Sequence, residues 1–294
     1  MNNIMMKKVS CHIITYNQID YISKCIDSVL MQKTNFSIEI IIGDDNSTDG
    51  TRELLLKYAN EYPDLIKLNL RELRGTGLPG KQNFLTTLEM CSGEYIAMLE
   101  GDDYWTDPFK LQKQVDFLEA NPDYVLCFHQ VTILKPDGTI VEDFITKVPE
   151  NYETIETLAR FGNYIHTPSV VYRNIIPTLP FEFEVTPIGD YFIYMMLAEH
   201  GKVKYMKEKM ATYRFGVGVF SPNDYILRLK QWIDCVVLIF SNCKNEEVKK
   251  ILYEKYQASI IEMHEFALKQ NRKSNVSIIK KKLKSLLYRV YKRK

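Results

Sequence analysis

Two acidic segments in the first third of the chain have residue types and spacing that suit a metal ion. Each places adjacent aspartates directly after a short apolar run, in GDDN at 43–46 and in EGDDY at 100–104. Neighbouring carboxylates repel one another and lose hydration on burial, so they need a compensating charge. Mg²⁺ supplies it, since this ion takes one or two protein carboxylates and leaves its other positions to water and substrate phosphates. Alone, each pair is typical of a solvated turn or a helix cap, and it is their shared setting that favours a ligand site.

The elements that must position these acids alternate between strand and helix. Runs rich in β-branched residues at 9–15, 38–42, 66–70 and 95–99 predict strands, and the amphipathic segments between them predict helices. This alternation is typical of an α/β fold with a mostly parallel sheet. Both acidic segments then follow the carboxyl ends of strands, where open α/β sheets bind ligands. We therefore expect the two segments to face one crevice.

Composition excludes several classes of protein. Hydrophobic residues make up 46% and charged residues 26% of the 294 positions, which is ordinary for a folded globular chain. No segment approaches the roughly 20 apolar residues of a membrane-spanning helix, and the N-terminus has no apolar signal-peptide core. The six cysteines form no C-x-x-C pair. We therefore predict a cytoplasmic protein with free thiols and neither a zinc site nor a disulfide framework.

The net charge of +1 conceals a strong asymmetry along the chain. From Ser221 onward there are 17 basic and 7 acidic residues, a net charge of +10, whereas the first 220 residues have a net charge of −9. From Asn223 the pattern is helical, with a predicted break at QNRKSN, and the segment from Ile278 to Lys294 has eight cations and one apolar face. That composition fits a helix on anionic lipid and equally a helix packed on the body. Nucleic acid is not expected as a partner, because no binding motif accompanies the charge.

Three ordered segments of the chain together resemble the family 2 glycosyltransferases with the GT-A fold. They read SCHIITYNQIDYISKCIDSVLMQ, EIIIGDDNSTDGTREL and GEYIAMLEGDDYWTDPFKLQKQVDFLEANPD. The resemblance covers most of residues 7 to about 220. It implies an α/β GT-A fold, a mostly parallel sheet flanked by helices, but it offers little beyond about Asn223, where the helical pattern itself predicts a C-terminal helical appendage. The predicted domains are a glycosyltransferase domain at 1–222, divided into a donor half at 7–105 and an acceptor half at 106–222, and a helical region at 223–294 with the basic tail.

In that family the donor half binds the nucleotide of an activated sugar. By resemblance, Thr15, Tyr16 and Asn17 line the pocket for base and ribose, and Asp45 accepts a hydrogen bond from the base. A carboxylate acceptor suits the ring N–H of uracil or thymine, so a UDP-sugar is the first expectation and a dTDP-sugar the second. The alternative for Asp45 is a cap of the helix that follows it.

The EGDDY segment stands in the place of the family's metal-binding acidic motif. The resemblance implies that Asp102 reaches the ribose or the metal and that Asp103 ligates Mn²⁺ or Mg²⁺ on the diphosphate, where the ion stabilises the charge of the leaving group. Many relatives have aspartate at the position of Glu100, whose role stays open. Phosphate or donor contacts are expected from Arg71, Arg74, Lys81 and Asn83, with a solvated surface charge as the alternative for each cation.

Transfer with inversion needs a carboxylate that accepts the proton of the acceptor hydroxyl. The resemblance assigns this role to Asp190, in the first turn of a predicted helix, with a helix cap as the alternative. Tyr213 and Arg214 resemble the start of a Y-R-x-H loop, but Gly216 stands where relatives often have histidine. Arg214 would then act as the phosphate clamp. His166 is expected to be a hydrogen-bonded structural residue.

These observations predict an inverting, metal-dependent glycosyltransferase for a bacterial-type surface glycan. It would move a sugar from a UDP-sugar to a hydroxyl of a glycan or a lipid-linked saccharide, in the cytoplasm or at the inner face of the cytoplasmic membrane. Gly216 leaves two consequences open: weaker metal dependence, or an inactive, membrane-associated protein that retains the donor pocket. A nucleotidyltransferase is a further alternative, but it would need a glycine-rich phosphate loop where this chain has TYNQIDY. The sugar, the linkage, the acceptor and the oligomeric state are beyond the sequence.

Overall fold

The structure is a computed structural model that describes residues 8–75, 77–217 and 225–291, with side chains through residue 270. The first half of the sheet is parallel, with the strand order β3-β2-β1-β4. Buried residues lie on both faces of β1, β2 and β4, as is typical of parallel strands that are covered by helices on both sides. The elements are β1 (Val9–Thr15), α1 (Ile19–Leu30), β2 (Ile38–Asp44), α2 (Thr51–Glu61), β3 (Ile66–Leu70), α3 (Lys81–Glu89) and β4 (Tyr95–Glu100).

The second half extends the same sheet in the order β4-β8-β6-β9-β5, with β7 paired to β6. The pair β6–β9 is parallel, but β8 is antiparallel to both of its neighbours, as are β5 to β9 and β7 to β6. The predicted α/β fold with flanking helices is confirmed, but the sheet is mixed rather than mostly parallel: β3-β2-β1-β4 is parallel, whereas the second half combines the parallel pair β6–β9 with antiparallel neighbours. The elements are β5 (Tyr104–Trp105), α4 (Lys110–Ala120), β6 (Tyr124–Leu134), β7 (Ile140–Glu142), α5 (Ile155–Phe161), β8 (Val171–Arg173), α6 (Phe181–Val185), α7 (Gly189–Ala198) and β9 (Lys202–Arg214).

Helix α3 packs closely against β2 at Gly43. A Cβ atom on Gly43 would lie 2.4 Å from both Oδ1 of Asn83 and Cγ2 of Thr87, so only glycine fits there. The side-chain amide of Asn83 donates a 2.8 Å hydrogen bond to the carbonyl of Gly43, and Asn83 is buried. Asn83 therefore holds α3 against the sheet, and its contact with the donor stays a prediction.

Two further helices follow the sheet, α8 (Tyr225–Asn242) and α9 (Glu246–Tyr291). Val236 of α8 and Ile251 of α9 belong to the same apolar cluster as Phe192 of α7, and the two helices pack on other helices, α8 on α6 and α7 and α9 on α5. The predicted break at QNRKSN is wrong, because α9 runs through this segment, which has no glycine or proline to end a helix. Within the described ranges, none of the helices combines the length and the apolar character needed to cross a bilayer.

Two sequence predictions concern this C-terminal region. The basic amphipathic face proposed for residues 278–294 lies outside the side chains that the structure describes. The division into a transferase domain and a separate helical region stays a prediction.

One buried cation gives this fold a testable pH dependence. Lys110 is fully buried, its Nζ lies 4.3 Å from the centre of the Trp105 ring, and that nitrogen has no hydrogen-bond partner among the described residues. Burial lowers the pKa of Lys110 from its ordinary 10.5 to about 7. The unfolded chain therefore binds more protons than the folded chain between these two values, and the free energy of unfolding should rise with pH across that window.

Replacing Lys110 with methionine keeps the length of the side chain and removes the charge. We expect Lys110→Met to raise the free energy of unfolding by about 1–3 kcal/mol at neutral pH and below, since no charge then has to be buried. The rise of stability with pH should also flatten in this variant. Urea denaturation at several pH values measures both effects, with Lys113→Met as the control because Lys113 is half-exposed on the same helix. A Lys110→Met variant less stable than the wild type in mild acid would contradict this account.

Candidate functional site

The loops that follow β1 and β2 are tied to one another. Each contains an asparagine with positive φ, 50° at Asn17 and 66° at Asn46, a conformation that asparagine tolerates better than most residues. The backbone N–H of Asn17 donates to Oγ of Ser47 over 2.8 Å, and Oδ1 of Asn17 accepts from the N–H of Thr48 over 2.9 Å. These bonds hold the segment Thr15 to Asn17, predicted to line a nucleotide pocket, beside the loop that carries Asp45.

Asp45 lies in a positively charged setting between these loops. Its carboxylate is buried, and Oδ1 lies 3.2 Å from Nε of Arg71 and accepts a 3.2 Å hydrogen bond from the N–H of Gly75. Arg74 approaches Oδ2 at 3.8 Å and lies 3.9 Å from the centre of the Tyr16 ring. The structure thus brings together Tyr16, Asp45 and Arg74, three of the residues that we predicted to contact the donor.

The two aspartates of the first acidic segment have different surroundings. Asp44 is fully buried and accepts hydrogen bonds from the N–H of Ser47 and from Nε of Arg52, the latter at 3.0 Å, so it stabilises the loop itself. Asp45 does not act as the helix cap considered above, because the carboxylate at the start of α2 is that of Asp49, which accepts a 3.0 Å hydrogen bond from the N–H of Thr51. This leaves the Asp45 carboxylate free of any capping role.

The second acidic segment forms a compact group of three carboxylates. Oxygen atoms of Glu100, Asp102 and Asp103 all lie within 4.8 Å of one another, and both aspartates are buried. Gly101 allows this arrangement, because a Cβ atom there would lie 2.4 Å from Oε1 of Gln18 and 2.8 Å from Oγ1 of Thr15. The absence of a side chain therefore brings the loop after β4 directly against the loop after β1.

Arg214 fixes one side of this acid cluster. Its backbone N–H donates to Oδ1 of Asp103 at 2.7 Å, and its Nε donates to the carbonyl of Asp102 at 2.9 Å. Its guanidinium also lies 4.3 Å from the centre of the Tyr21 ring. The nearby Gly216 has a φ of 84°, so a histidine in this turn would be strained. The turn is thus built for glycine.

The remaining oxygen of Asp103 makes the cluster suitable for a cation. Oδ2 is buried and has no hydrogen-bond partner within the part of the chain that the structure describes. Burial, followed by the charges of Asp102 and Glu100, raises the pKa of Asp103 well above its ordinary value. Burial and the Asp102 charge raise the pKa of Glu100 to about 8. Such a set of oxygen donors fits Mn²⁺ or Mg²⁺, which would offset the repulsion that keeps these acids from ionising together.

A cavity of about 400 Å³ opens beside the acid cluster, which is within the size range of small-molecule sites. Glu100 and Asp190 both lie in its wall, so the structure brings the acid cluster and the predicted base to one cavity. Much of the remaining wall is apolar. Polar side chains in the same wall include Lys81, Asn163, His166, Tyr213, Arg228 and Gln231.

Asp190 lies in the first turn of α7, at the helix position that the sequence predicts. Its Oδ2 accepts a 2.8 Å hydrogen bond from Nδ2 of Asn163. Burial raises the pKa of Asp190, and the N–H of Tyr191, the Asn163 amide and the charge of Lys81 act against this rise. The carboxylate is therefore buried but has partners that favour its ionised form.

Lys81 lies in the cavity rather than with the other predicted phosphate contacts. Its Nζ is 4.0 Å from the centre of the Phe183 ring, and a Cβ atom on Gly189 would come within 2.8 Å of it. Burial lowers the pKa of Lys81 to about 8. The two cations therefore lie in different places: Arg74 is beside the Asp45 carboxylate, and Lys81 is beside Gly189, the residue before Asp190.

Sequence reasoning missed the side chains that reach the cavity from distant elements. Asn163 follows Gly162 at the end of α5, and Arg228 and Gln231 come from α8. Only Gly162 carries a sequence signal, because glycine commonly ends a helix, but nothing there indicates a contact with Asp190. His166 is hydrogen-bonded, with Nε2 lying 3.0 Å from Oδ2 of Asp143.

The model of the family described as Glycosyl transferase family 2 matches residues 10–176. Uncharacterized proteins of Mycobacterium bovis and Mycobacterium tuberculosis are 38% identical over 219 residues, which cover 74% of this chain and 62% of theirs. The match thus spans less than two thirds of these relatives.

The chain is also similar to a named glucosyltransferase and to a solved structure. An Escherichia coli protein named UDP-Glc:alpha-D-GlcNAc-diphosphoundecaprenol beta-1,3-glucosyltransferase WfaP is 28% identical over 227 residues, covering 77% of this chain and 84% of that protein. The structure of Staphylococcus aureus TarS 1–349 in complex with UDP-GlcNAc is similar with a TM-score of 0.62 and 20% identity, covering 86% of this chain and 72% of that one. This second likeness is one of fold.

Proposed function

This chain belongs to glycosyl transferase family 2, and on that premise we propose that it is an inverting glycosyltransferase. It would transfer a sugar from a nucleotide-sugar donor to a hydroxyl group of a saccharide acceptor. The observation that carries this proposal is the single cavity of about 400 Å³ whose wall contains both Glu100 of the acid cluster and Asp190. The two chemical requirements of the reaction, stabilisation of a leaving diphosphate and removal of a proton, would thus be met at one place.

The donor would lie across the loops that follow β1, β2 and β4. Asp45 would accept a hydrogen bond from the ring N–H of the nucleotide base, and the pocket around base and ribose would be lined by Thr15, Tyr16 and Asn17. The names of WfaP and of the TarS complex both include a UDP-sugar, which supports UDP as the first candidate, with dTDP as the second. Arg74, which lies over Tyr16, would close this pocket.

The diphosphate would lie against the acid cluster. Asp102 and Asp103 would hold Mn²⁺ or Mg²⁺, and such an ion, when bound, stabilises the negative charge of the leaving nucleoside diphosphate. Arg214 would contribute a second positive charge, since Nε of its guanidinium is already held beside the cluster by the backbone carbonyl of Asp102. The buried surroundings strengthen each of these interactions, because water screens them little.

Asp190 would act as the general base. The carboxylate would accept the proton of the acceptor hydroxyl as that oxygen attacks the anomeric carbon from the face opposite the diphosphate. The Asn163 hydrogen bond and the Lys81 charge favour the ionised form that this step requires. Protonated Asp190 cannot serve, so transfer should decline in acid.

The acceptor would enter the same cavity from the side of α8. Apolar residues such as Leu78 and Ile188 form much of its wall, and Arg228 adds a cation. A saccharide linked to a lipid suits that combination, and the name of WfaP specifies such an acceptor for that protein. We therefore propose a lipid-linked saccharide or a growing surface glycan at the cytoplasmic face of the membrane, with the basic C-terminal helix near anionic lipid.

Release of nucleotide from a panel of donors tests the proposed function without knowledge of the acceptor. The purified chain would be incubated with UDP-glucose, UDP-galactose, UDP-GlcNAc, dTDP-glucose and GDP-mannose in the presence of Mn²⁺. We expect slow hydrolysis of at least one UDP-sugar, because water can take the place of the acceptor hydroxyl. Release of no nucleotide from any of these donors would count against the proposal.

The role of Asp45 can be tested separately through nucleotide affinity. We expect Asp45→Asn to weaken UDP binding by about 10-fold to 100-fold, the usual effect of losing a hydrogen bond to a charged group. Calorimetric titration measures this, with Asp64→Asn as the control because Asp64 is exposed at the end of α2. An unchanged affinity of Asp45→Asn for UDP would mean that the uracil ring binds elsewhere.

A further inference from the structure

The side chain of Asn163 has only one orientation that satisfies its hydrogen bonds. Oδ1 accepts from the backbone N–H of Ile165 at 3.1 Å, and Nδ2 donates to Oδ2 of Asp190 at 2.8 Å. Reversing the amide would place its NH₂ group against an N–H and its oxygen against a carboxylate. The backbone N–H of Ile165 therefore fixes the orientation of the Asn163 amide, whose NH₂ group donates to Asp190.

Trp232 of α8 packs behind this pair and contacts a neighbour of each member. A Cβ atom on Gly162, which precedes Asn163, would lie 3.0 Å from Cη2 of Trp232. On the other side, the ring of Trp232 stacks on Tyr191, which follows Asp190, with centroids 5.4 Å apart and planes 29° apart. Trp232 thus supports both segments that meet at the hydrogen bond.

Tyr191 also connects these segments directly. Its hydroxyl is buried and donates a 3.1 Å hydrogen bond to the carbonyl of Leu158 in α5. The positive φ of Gly162, 79°, turns the chain out of α5 and toward Asp190. The end of α5, the start of α7 and the middle of α8 are therefore packed into one unit around the carboxylate.

We propose that Asn163 is a positioning residue that holds the Asp190 carboxylate in place for the reaction, and that Trp232 of the C-terminal helical region supports the pair from behind. This inference rests on the proposed function, since it assumes that Asp190 is the base. Asn163 itself would exchange no proton. It would act through Asp190, and the C-terminal region would be required for catalysis as well as for packing.

The effect of losing this contact should appear in kcat. A displacement of about 1 Å of a catalytic group can cost about 100-fold in rate. The residues proposed to bind the base and ribose lie on the loops after β1 and β2, whereas Asn163 follows α5 and contacts Asp190, so the KM for the sugar donor should change little. A residue with a merely structural role would instead lower stability, nucleotide binding and turnover together.

The experiment compares four variants in the hydrolysis of the best UDP-sugar from the panel. Asn163→Asp keeps the size of the side chain but replaces the hydrogen-bond donor with a second carboxylate, and we expect a kcat about 100-fold lower with an unchanged KM. Asn163→Ala removes the hydrogen-bond donor without adding charge, and it is the substitute variant if Asn163→Asp does not fold. We expect Trp232→Ala to lower kcat about 10-fold and Trp232→Phe, which keeps an aromatic ring, to restore it.

Asn174→Ala is the matched control, because Asn174 also donates one side-chain hydrogen bond, to the carbonyl of Gly93 at 3.0 Å. Its kcat should stay near that of the wild type. Thermal unfolding and calorimetric binding of UDP are measured for every variant.

Two outcomes would overturn the inference without touching the proposed function. The first is a full kcat in a folded Asn163→Asp or Asn163→Ala variant, which would remove Asn163 from the reaction while leaving the proposed function intact. The second is a loss of kcat that is matched by equal losses of UDP binding, which would make Asn163 merely structural. A wild-type chain that binds UDP but hydrolyses no donor would instead refute the proposed function, and this inference with it.

Discussion

Asp190→Asn should lower kcat by about 1,000-fold while UDP binding stays within about twofold of the wild type. The substitution keeps the size of the side chain and the helix position, so its effect isolates the loss of a proton acceptor. Asparagine cannot take the proton of the acceptor hydroxyl. The nucleotide contacts lie on the loops after β1, β2 and β4 and should not change.

The measurement is the initial rate of nucleotide release from a saturating UDP-sugar, together with calorimetric titration of UDP. Glu184→Gln is a suitable control, because it also removes one carboxylate, from an exposed position on the neighbouring helix α6. A folded Asp190→Asn variant with full turnover would assign the base to another residue. Glu100, in the same cavity wall, would be the first to examine.

Asp103→Ala should lower turnover by about 1,000-fold and abolish its stimulation by Mn²⁺. Oδ2 of Asp103 is buried and has no hydrogen-bond partner among the residues that the structure describes, whereas Oδ1 accepts a 2.7 Å hydrogen bond from the N–H of Arg214. A carboxylate oxygen of Asp103 also lies within 4.8 Å of oxygens of Asp102 and Glu100. Losing the ion that this cluster suits would remove several kcal/mol of stabilisation from the leaving diphosphate.

Turnover as a function of Mn²⁺ concentration measures this effect in the wild type and in Asp103→Ala. Asp116→Ala, at an exposed position on α4, controls for the loss of one acidic residue. If Asp103→Ala keeps the wild-type response to Mn²⁺, the acid cluster is not the metal site. If the wild type itself does not respond, transfer does not depend on this ion.

Positions set by local pattern could be predicted from the sequence. Strand β4 ends at Glu100 and β2 at Asp44, so the acidic segments lie where the alternation of strands and helices indicates. The first turn of α7 carries Asp190 for the same reason, because helical periodicity locates the start of a helix. These elements are determined largely by residues close to one another in the chain.

Contacts between distant elements could not be predicted in this way. Asn163 and Asp190 are 27 positions apart and meet only because α5 packs beside α7. The apolar face of α8 indicates that it is covered, but not that Arg228 would reach the cavity. The antiparallel strand β8 escaped prediction as well, since strand pairing is decided by packing of the whole sheet rather than by the three residues of the strand.

Calorimetric titration of the wild type with UDP, with and without Mn²⁺, tests the central claim most directly. We expect saturable UDP binding that strengthens by about 10-fold or more when Mn²⁺ is present, because the diphosphate and the acid cluster then share a cation. GDP and dTDP serve as controls for the pocket around Asp45. Absence of UDP binding in either condition would contradict the claim that the loops after β1, β2 and β4 form a nucleotide-sugar site.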